Sequence, residues 1–184
     1  MERALMKELR RWKASPRRKP LVLKGARQVG KTWLMKELGR QCYAKTAYVN
    51  FDRNPRMKQV FDQDLDIERI LMAINLETGV RVTPHDTLII FDEVQEAPRA
   101  ISAFKYFCED APDYHIIAAG SQLGVAIHAG ISFPVGKVNM MQLYPLSFYE
   151  FLHAVGEEGL ARVLDDKNTE MMTLFHDRFT TWLK

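Results

Sequence analysis

Two short groups of residues have the types and spacing needed to bind and cleave a polyphosphate. The first, Gly25 to Thr32 with the sequence GARQVGKT, matches the Walker A pattern GxxxxGK[ST]. Its two glycines permit a loop whose N–H groups point inward, and a helix beginning near Lys31 adds its positive dipole end. Lys31 can then reach the β- and γ-phosphates, and the Thr32 hydroxyl can coordinate Mg²⁺. The predicted nucleotide-binding residues are Gly25, Ala26, Arg27, Gln28, Val29, Gly30, Lys31, Thr32 and Trp33.

The second group is a pair of carboxylates, Asp92 and Glu93, at the end of the apolar run Leu88 to Phe91. An acid at the end of a buried strand can hold a magnesium ion through its water shell, which is the role expected of Asp92 together with Thr32. Glu93 is placed to orient or deprotonate the water that attacks the γ-phosphate. Glu93 and Lys31 are therefore predicted to be catalytic, and the implied reaction is hydrolysis.

A third candidate follows the apolar run Ile116 to Ala119. Ligands of open α/β sheets bind outside the carboxyl ends of the strands, so Ser121 or Gln122 could sense the γ-phosphate or align the attacking water. Ser121 is taken as the third predicted catalytic residue. A simple turn at Gly120-Ser121 is the alternative.

The elements that must position these residues alternate between strand and helix. Apolar runs predict strands at 21–23, 47–51, 87–91, 115–119 and 138–143. Helical composition and periodicity predict helices at 2–13, 31–40, 64–78, 98–110, 147–152 and 170–183. Strands that are apolar throughout indicate a parallel sheet covered on both faces, so the predicted fold is a three-layer α/β sandwich.

The whole-chain composition suits a folded, water-soluble protein. The chain has 184 residues, of which 47% are hydrophobic and 27% charged, and it contains no apolar run of membrane-spanning length and no signal-peptide core. We therefore expect a cytoplasmic protein without a membrane partner. Cys42 and Cys108 lack the spacing of a redox or zinc motif and are interpreted as reduced, partly buried side chains.

Basic residues are concentrated at the front of the chain. Residues 1–19 hold eight Lys or Arg against two Glu, a local charge of +6, whereas the whole chain carries +3. This segment could lie along nucleic-acid phosphates. Leu5, Met6, Leu9 and Trp12 fall at helical spacing, so a docked amphipathic helix with a solvated basic face is equally natural.

The chain resembles the AAA+ division of P-loop ATPases, and in particular a group of bacterial and archaeal ATPases of poorly defined role. The resemblance rests on four segments: GARQVGKT at 25–32, IIFDEVQ at 89–95, AAGSQLG at 118–124 and YPLSFYEFL at 144–152. It implies a five-stranded sheet of order 5-1-4-3-2 and a further C-terminal domain. The expected organisation is a basic helix and linker at 1–19, a P-loop core at 20–145 and a helical segment at 146–184.

These observations predict Mg²⁺-dependent binding and hydrolysis of ATP that drives a conformational change in an attached domain or a partner protein. GTP is an open alternative, because the loop contacts phosphates and not the base. A slowly hydrolysing nucleotide-gated switch and a small-molecule kinase are alternative functions. Oligomers and a nucleic-acid partner are compatible with the sequence, and Arg53, Arg99 and Arg162 remain unassigned as arginine fingers for a neighbouring subunit.

Overall fold

The computed structural model describes residues 3–120 and 133–183. Its larger compact unit, residues 5–144, contains a five-stranded parallel sheet. The strands are β1 Leu21–Lys24, β2 Lys45–Asn50, β3 Thr87–Asp92, β4 His115–Ala119 and β5 Asn139–Gln142. They lie in the order β2-β3-β4-β1-β5, and each neighbouring pair is parallel. The predicted order 5-1-4-3-2 is the same arrangement counted from the other edge, so the predicted sheet is confirmed.

Successive side chains of each strand point to opposite sides of the sheet, and each face packs against helices to form a core. One face packs against α3 Pro55–Gln63, α4 Ile67–Thr78 and α5 Pro98–Asp110. Its strand residues are Val22, Ala47, Val49, Ile89, Phe91, Ile116 and Ala118. The other face packs against α1 Leu5–Ala14 and α2 Lys31–Cys42. Its strand residues are Leu21, Leu23, Leu88, Ile90, Ile117 and Ala119, with Tyr48 partly buried beside them. The predicted three-layer sandwich is therefore confirmed.

The basic N-terminal segment forms the amphipathic helix α1. Met6, Leu9 and Trp12 share one side of this helix and are buried in the core on the α2 side of the sheet. The indole Nε1 of Trp12 also donates a 2.9 Å hydrogen bond to the carbonyl oxygen of Lys19. The apolar stripe of α1 is thus used in packing, and Lys7, Arg10 and Arg11 are exposed on the other faces of the helix.

The second compact unit comprises residues 1–4 and 145–184. It contains α6 Phe148–Ala154, α7 Glu158–Asp165, α8 Thr169–Leu174 and α9 His176–Thr181 around a small core. Ser147 and Glu150 form a reciprocal capping box at the start of α6. Arg3 Nε donates to Glu150 Oε1 at 2.9 Å, and the N–H of Ala4 donates to the same oxygen at 2.8 Å. Burial acts to raise the pKa of Glu150, but these bonds and those from Ser147 lower it overall.

Two predicted helices differ from the structure, and two further helices were not predicted. The segment 64–78 is helical from Ile67, and α3 before it was not predicted. The predicted helix at 170–183 is wrong: two short helices meet at Phe175, whose φ of −106° and ψ of 27° are not helical. Among the described residues of this segment, α8 contributes no buried side chain and α9 buries Phe179 alone, so little packing sustains one continuous helix. The helix α7 was also missed.

Within residues 3–120 and 133–183, no helix combines the length and the apolarity needed to cross a bilayer.

Candidate functional site

The loop between β1 and α2 presents an open helix N-terminus. Gly30 precedes α2 in a left-handed conformation, with φ of 94°, and no side chain caps the first turn of the helix. Gln28, within the loop, also has a positive φ, of 63°. Since the first amides of a helix have no partner inside it, the start of α2 leaves N–H donors and a positive dipole end for an anion.

The beginning of the loop is fixed by the end of β5. The N–H of Leu143 donates to the carbonyl oxygen of Lys24 at 2.7 Å, which continues the β1–β5 pairing to the end of the sheet. A Cβ atom on Gly25 would lie 2.5 Å from the carbonyl oxygen of Leu143. Gly25 is therefore needed for a close backbone approach.

Lys31 points back into its own loop. Its ammonium group donates to the carbonyl oxygens of Gly25 at 2.9 Å and of Ala26 at 2.6 Å. The residue is 7% exposed, and burial lowers the pKa of its ammonium group against the opposing influence of the Glu93 and Asp92 carboxylates. A cation thus lies inside the loop with neutral acceptors as its hydrogen-bond partners.

Asp92 is buried at the end of β3, where three donors converge on its carboxylate. Thr32 Oγ1 donates to Oδ2 at 2.7 Å, and the hydroxyl of Tyr48 donates to the same oxygen at 2.9 Å. The N–H of Glu93 donates to Oδ1 at 3.1 Å. The residue is 3% exposed, so these bonds satisfy a carboxylate that is almost removed from water.

Glu93 turns the chain sharply as it leaves the sheet. It has a left-handed backbone, with φ of 50° and ψ of 45°, and precedes a short 3₁₀ turn, Val94–Glu96. Gln95 Nε2 donates to Glu93 Oε2 at 2.7 Å, whereas Gln95 Oε1 is buried without a hydrogen-bond partner among the described residues. Strained non-glycine backbone of this kind is often found at functional sites.

A cavity of about 620 Å³ lies in front of these groups. Its lining residues are Arg27, Gln28, Gly30, Lys31, Thr32, Trp33, Asp52, Glu93, Gln95 and Glu96. Most of the predicted site is therefore brought together: six of the nine loop residues and Glu93 line the cavity, and Asp92 is bonded to Thr32. Asp52, Gln95 and Glu96 were not predicted. Ser121 and its alternative Gln122 lie outside the described residues.

Tyr48 bonds Asp92 but was not predicted to belong to the site, because the run 47–51 indicates a strand and gives no sign of a role for one side chain. Ala47 and Val49 belong to the α5 side of the sheet, so the alternation of β2 turns Tyr48 and Asn50 to the α2 side. In the β2–β3 pairing, Asn50 is the partner of Asp92. The signal that could have found Tyr48 was this alternation combined with the sheet order. Burial raises the pKa of its hydroxyl, which keeps the group protonated and able to donate.

The candidate arginine fingers have different locations. Arg53, Arg99 and Arg162 are exposed, in a 3₁₀ turn after β2, in the first turn of α5 and in α7 respectively. In the 620 Å³ cavity, Arg27 is the lining arginine. The structure supplies no reason to assign a role to the other three.

Comparisons with known proteins identify the family of the chain and a shared fold. A family model described as an AAA domain matches residues 17–152. Among solved structures, the Walker-type ATPase PABY2304 of Pyrococcus abyssi is similar, with a TM-score of 0.53 and 18% sequence identity over 84% of this chain and 58% of that chain. The chain thus spans less than two thirds of that protein, and the likeness shows a shared fold. No curated protein matches the chain.

Proposed function

The chain belongs to the AAA domain family of P-loop ATPase domains, and we propose that it binds ATP with Mg²⁺ in this cavity and hydrolyses the γ-phosphate. The observation that carries the proposal is the 2.7 Å bond between Thr32 and Asp92, beside a cavity that Lys31 and Glu93 also line. The roles of the individual residues, the metal dependence and a resulting conformational change in an attached domain or partner are parts of this proposal.

The phosphate groups are proposed to bind at the open start of α2. The amides of its first turn and the dipole of the helix favour an anion at this position. The ammonium group of Lys31 bonds carbonyl oxygens of the loop, and phosphate oxygens, being charged, are stronger acceptors than these neutral groups. We therefore expect Lys31 to exchange its loop contacts for the phosphates.

The residues present fit a magnesium ion. The Thr32 hydroxyl and the Asp92 carboxylate supply adjacent oxygen atoms, the ligand type that Mg²⁺ prefers. No group of three or more His, Cys, Asp or Glu side chains within the described residues could hold a metal ion by itself. Mg²⁺ usually takes one or two protein ligands and completes its shell with phosphates and water, so the Thr32–Asp92 pair supplies enough protein oxygen atoms. When bound, the ion would neutralise charge on the phosphates.

Glu93 is proposed to orient or deprotonate the attacking water. It lies in the cavity wall, and its left-handed backbone fixes the direction in which its side chain leaves β3. Gln95 bonds one carboxylate oxygen, and the other, Oε1, is then the acceptor for a water molecule. General-base action needs a hydrogen bond of ordinary length to that water, which this wall position permits.

The same Gln95–Glu93 bond favours a second candidate function, a nucleotide-gated switch that turns over slowly. The Gln95 amide occupies Glu93 Oε2 at 2.7 Å, which leaves one carboxylate oxygen of Glu93 to orient the attacking water. Single-turnover hydrolysis separates the two functions. Repeated turnovers support the ATPase, whereas a bound ATP half-life of many hours supports the switch.

Thermal unfolding with ATP or GTP, each with Mg²⁺ or with EDTA, tests the proposed binding. At 100 times its Kd, a ligand stabilises the folded state by about 2.7 kcal/mol. For a chain of this size, we expect MgATP to raise Tm by about 5–10 °C. A smaller rise with EDTA would support the metal, and an equal rise with GTP would remove the preference for ATP. No rise with any nucleotide would contradict the proposed function.

A further inference from the structure

Asp92 Oδ2 accepts hydrogen bonds from two hydroxyl groups that come from different parts of the fold. Thr32 lies in the first turn of α2, and Tyr48 lies on the neighbouring strand β2. The two distances are similar, 2.7 and 2.9 Å, and the second joins residues that are 44 positions apart in the chain. The carboxylate is therefore held by one donor at the start of α2 and by a second donor on β2.

Tyr48 is itself held in place on the α2 side of the sheet. Asn50 Nδ2 donates to its hydroxyl oxygen at 3.4 Å. Lys36 Nζ, from α2, lies 3.9 Å from the centroid of its ring, within the range of a cation–π contact. A ring fixed by contacts from both β2 and α2 can present its hydroxyl to Asp92 in one direction.

Binding of a divalent cation would affect the two hydrogen bonds to Asp92 Oδ2 differently. The Thr32 hydroxyl oxygen would be a ligand of the cation, whereas Tyr48, which belongs to β2, would remain a hydrogen-bond donor to Asp92 Oδ2. A carboxylate oxygen has room for a hydrogen bond and for a ligand contact together. Partners behind a metal ligand fix its orientation, and their removal weakens metal binding.

We propose that Tyr48 is a positioning residue, which holds the Asp92 carboxylate in the orientation needed by a divalent cation; this rests on the nucleotide and metal binding proposed above. Tyr48 itself contacts neither the nucleotide nor the cation. Its hydroxyl acts through Asp92, so its loss affects binding of the cation and leaves metal-free nucleotide binding unchanged.

The test is equilibrium binding of Mn²⁺, measured by electron paramagnetic resonance in the presence of saturating ADP. Tyr48→Phe removes one hydroxyl group, and we expect the Kd for Mn²⁺ to rise by about tenfold, as is found for partners behind metal ligands. ATP turnover should need a correspondingly higher Mg²⁺ concentration and recover at saturating Mg²⁺. A role in folding alone would change neither the Mn²⁺ affinity nor this Mg²⁺ requirement.

Tyr43→Phe is the matched control. The hydroxyl of Tyr43 is bonded at 2.7 Å to Nδ1 of His115, the first residue of β4, so this change also removes a tyrosine hydroxyl from a bonded pair. We expect Tyr43→Phe to bind Mn²⁺ as the wild type does. If Tyr48→Phe does not fold, Asn50→Ala replaces it as the test variant. This change removes the amide that donates to the Tyr48 hydroxyl, so we expect a smaller rise in the Kd for Mn²⁺.

The outcomes separate the two proposals. An unchanged Mn²⁺ affinity in folded Tyr48→Phe, or in Asn50→Ala if it replaces that variant, overturns the role of Tyr48 alone. A wild type that binds neither ADP nor Mn²⁺ overturns the proposed function. Weakened Mn²⁺ binding with unchanged metal-free ADP binding supports the inference.

Discussion

The ammonium nitrogen of Lys31 lies 2.6 Å from the carbonyl oxygen of Ala26, five residues earlier in the same loop. The second bond of the same group, to the carbonyl oxygen of Gly25 at 2.9 Å, closes the loop around its own cation, which also lines the cavity. A phosphate group that enters the cavity meets this cation at short range. Phosphate binding is expected to replace the two carbonyl acceptors of Lys31 by charged phosphate oxygens.

Lys31→Ala should weaken binding of MgATP by roughly 10- to 150-fold, because a hydrogen bond to a charged group contributes about 1.5–3 kcal/mol. The fluorescence of Trp33, which is exposed in the cavity wall, provides a binding signal. Lys105→Ala is the matched control, since Lys105 is exposed on α5 and does not line the cavity. Equal affinities of the wild type and Lys31→Ala would show that the lysine does not contact the phosphates.

Gly25→Ala should destabilise the protein. The new methyl group would lie 2.5 Å from the carbonyl oxygen of Leu143, and backbone shifts that relieve such overpacking cost about 1–3 kcal/mol. We expect Tm to fall by about 2–12 °C in calorimetry. Gly159→Ala has the opposite expectation, because it fills open space within α7 and replaces glycine by the best helix former. A Tm of Gly25→Ala equal to that of the wild type would contradict the described contact between the loop and β5.

His115 should make the folded state sensitive to acid. Burial, followed by the positive charges of Arg18, His85 and Lys13, lowers its pKa to about 4 from the ordinary histidine value of 6.5. Between these two values the unfolded chain binds more protons than the folded one, so stability falls as the pH falls from about 6.5 towards 4. His115→Leu should flatten this part of the curve of Tm against pH.

The control for this prediction is His153→Leu, which removes an exposed imidazole from α6. The His115→Leu variant also leaves the hydroxyl of Tyr43 without its partner, which shifts Tm equally at all of these pH values. The comparison therefore uses the slope of Tm against pH in each protein and not the absolute Tm. A His115→Leu slope equal to that of the wild type would contradict the lowered pKa.

The sheet could be predicted because its strands are apolar runs with clear ends, and the resemblance implied their order. The helices that were missed lack such a signal. In α3, Met57 and Phe61 are the buried residues, and the preceding Asn54-Pro55 is typical of a turn as well as of a helix start. In α7, Gly159 weakens the helical composition around Leu160 and Ala161. Short helices with two buried residues each depend on tertiary packing.

The site could be predicted where one continuous motif supplies it, as the loop and the Asp92-Glu93 pair do. Tyr48, Asp52 and Gln95 could not, because each reaches the site through tertiary structure or through an unusual backbone turn. Tyr48 needs the β2–β3 neighbourhood, and Gln95 needs the left-handed conformation of Glu93 that turns the chain towards the cavity. The resemblance implied a sheet order in which β2 lies beside β3. A strand order alone does not show which side chains of β2 reach Asp92.

ATP hydrolysis by Glu93→Gln is the most direct test of the proposed reaction. The substitution keeps the size of the side chain and removes the carboxylate that is expected to orient or deprotonate the water. Loss of such a group costs a factor of about 10²–10⁴ in rate. Steady-state turnover and equilibrium ATP binding should be measured on the same preparations of wild type and variant. We expect Glu93→Gln to keep its affinity for ATP and to turn over more slowly than the wild type by about 10²–10⁴-fold. Equal turnover in the two proteins would rule out the proposed role of Glu93.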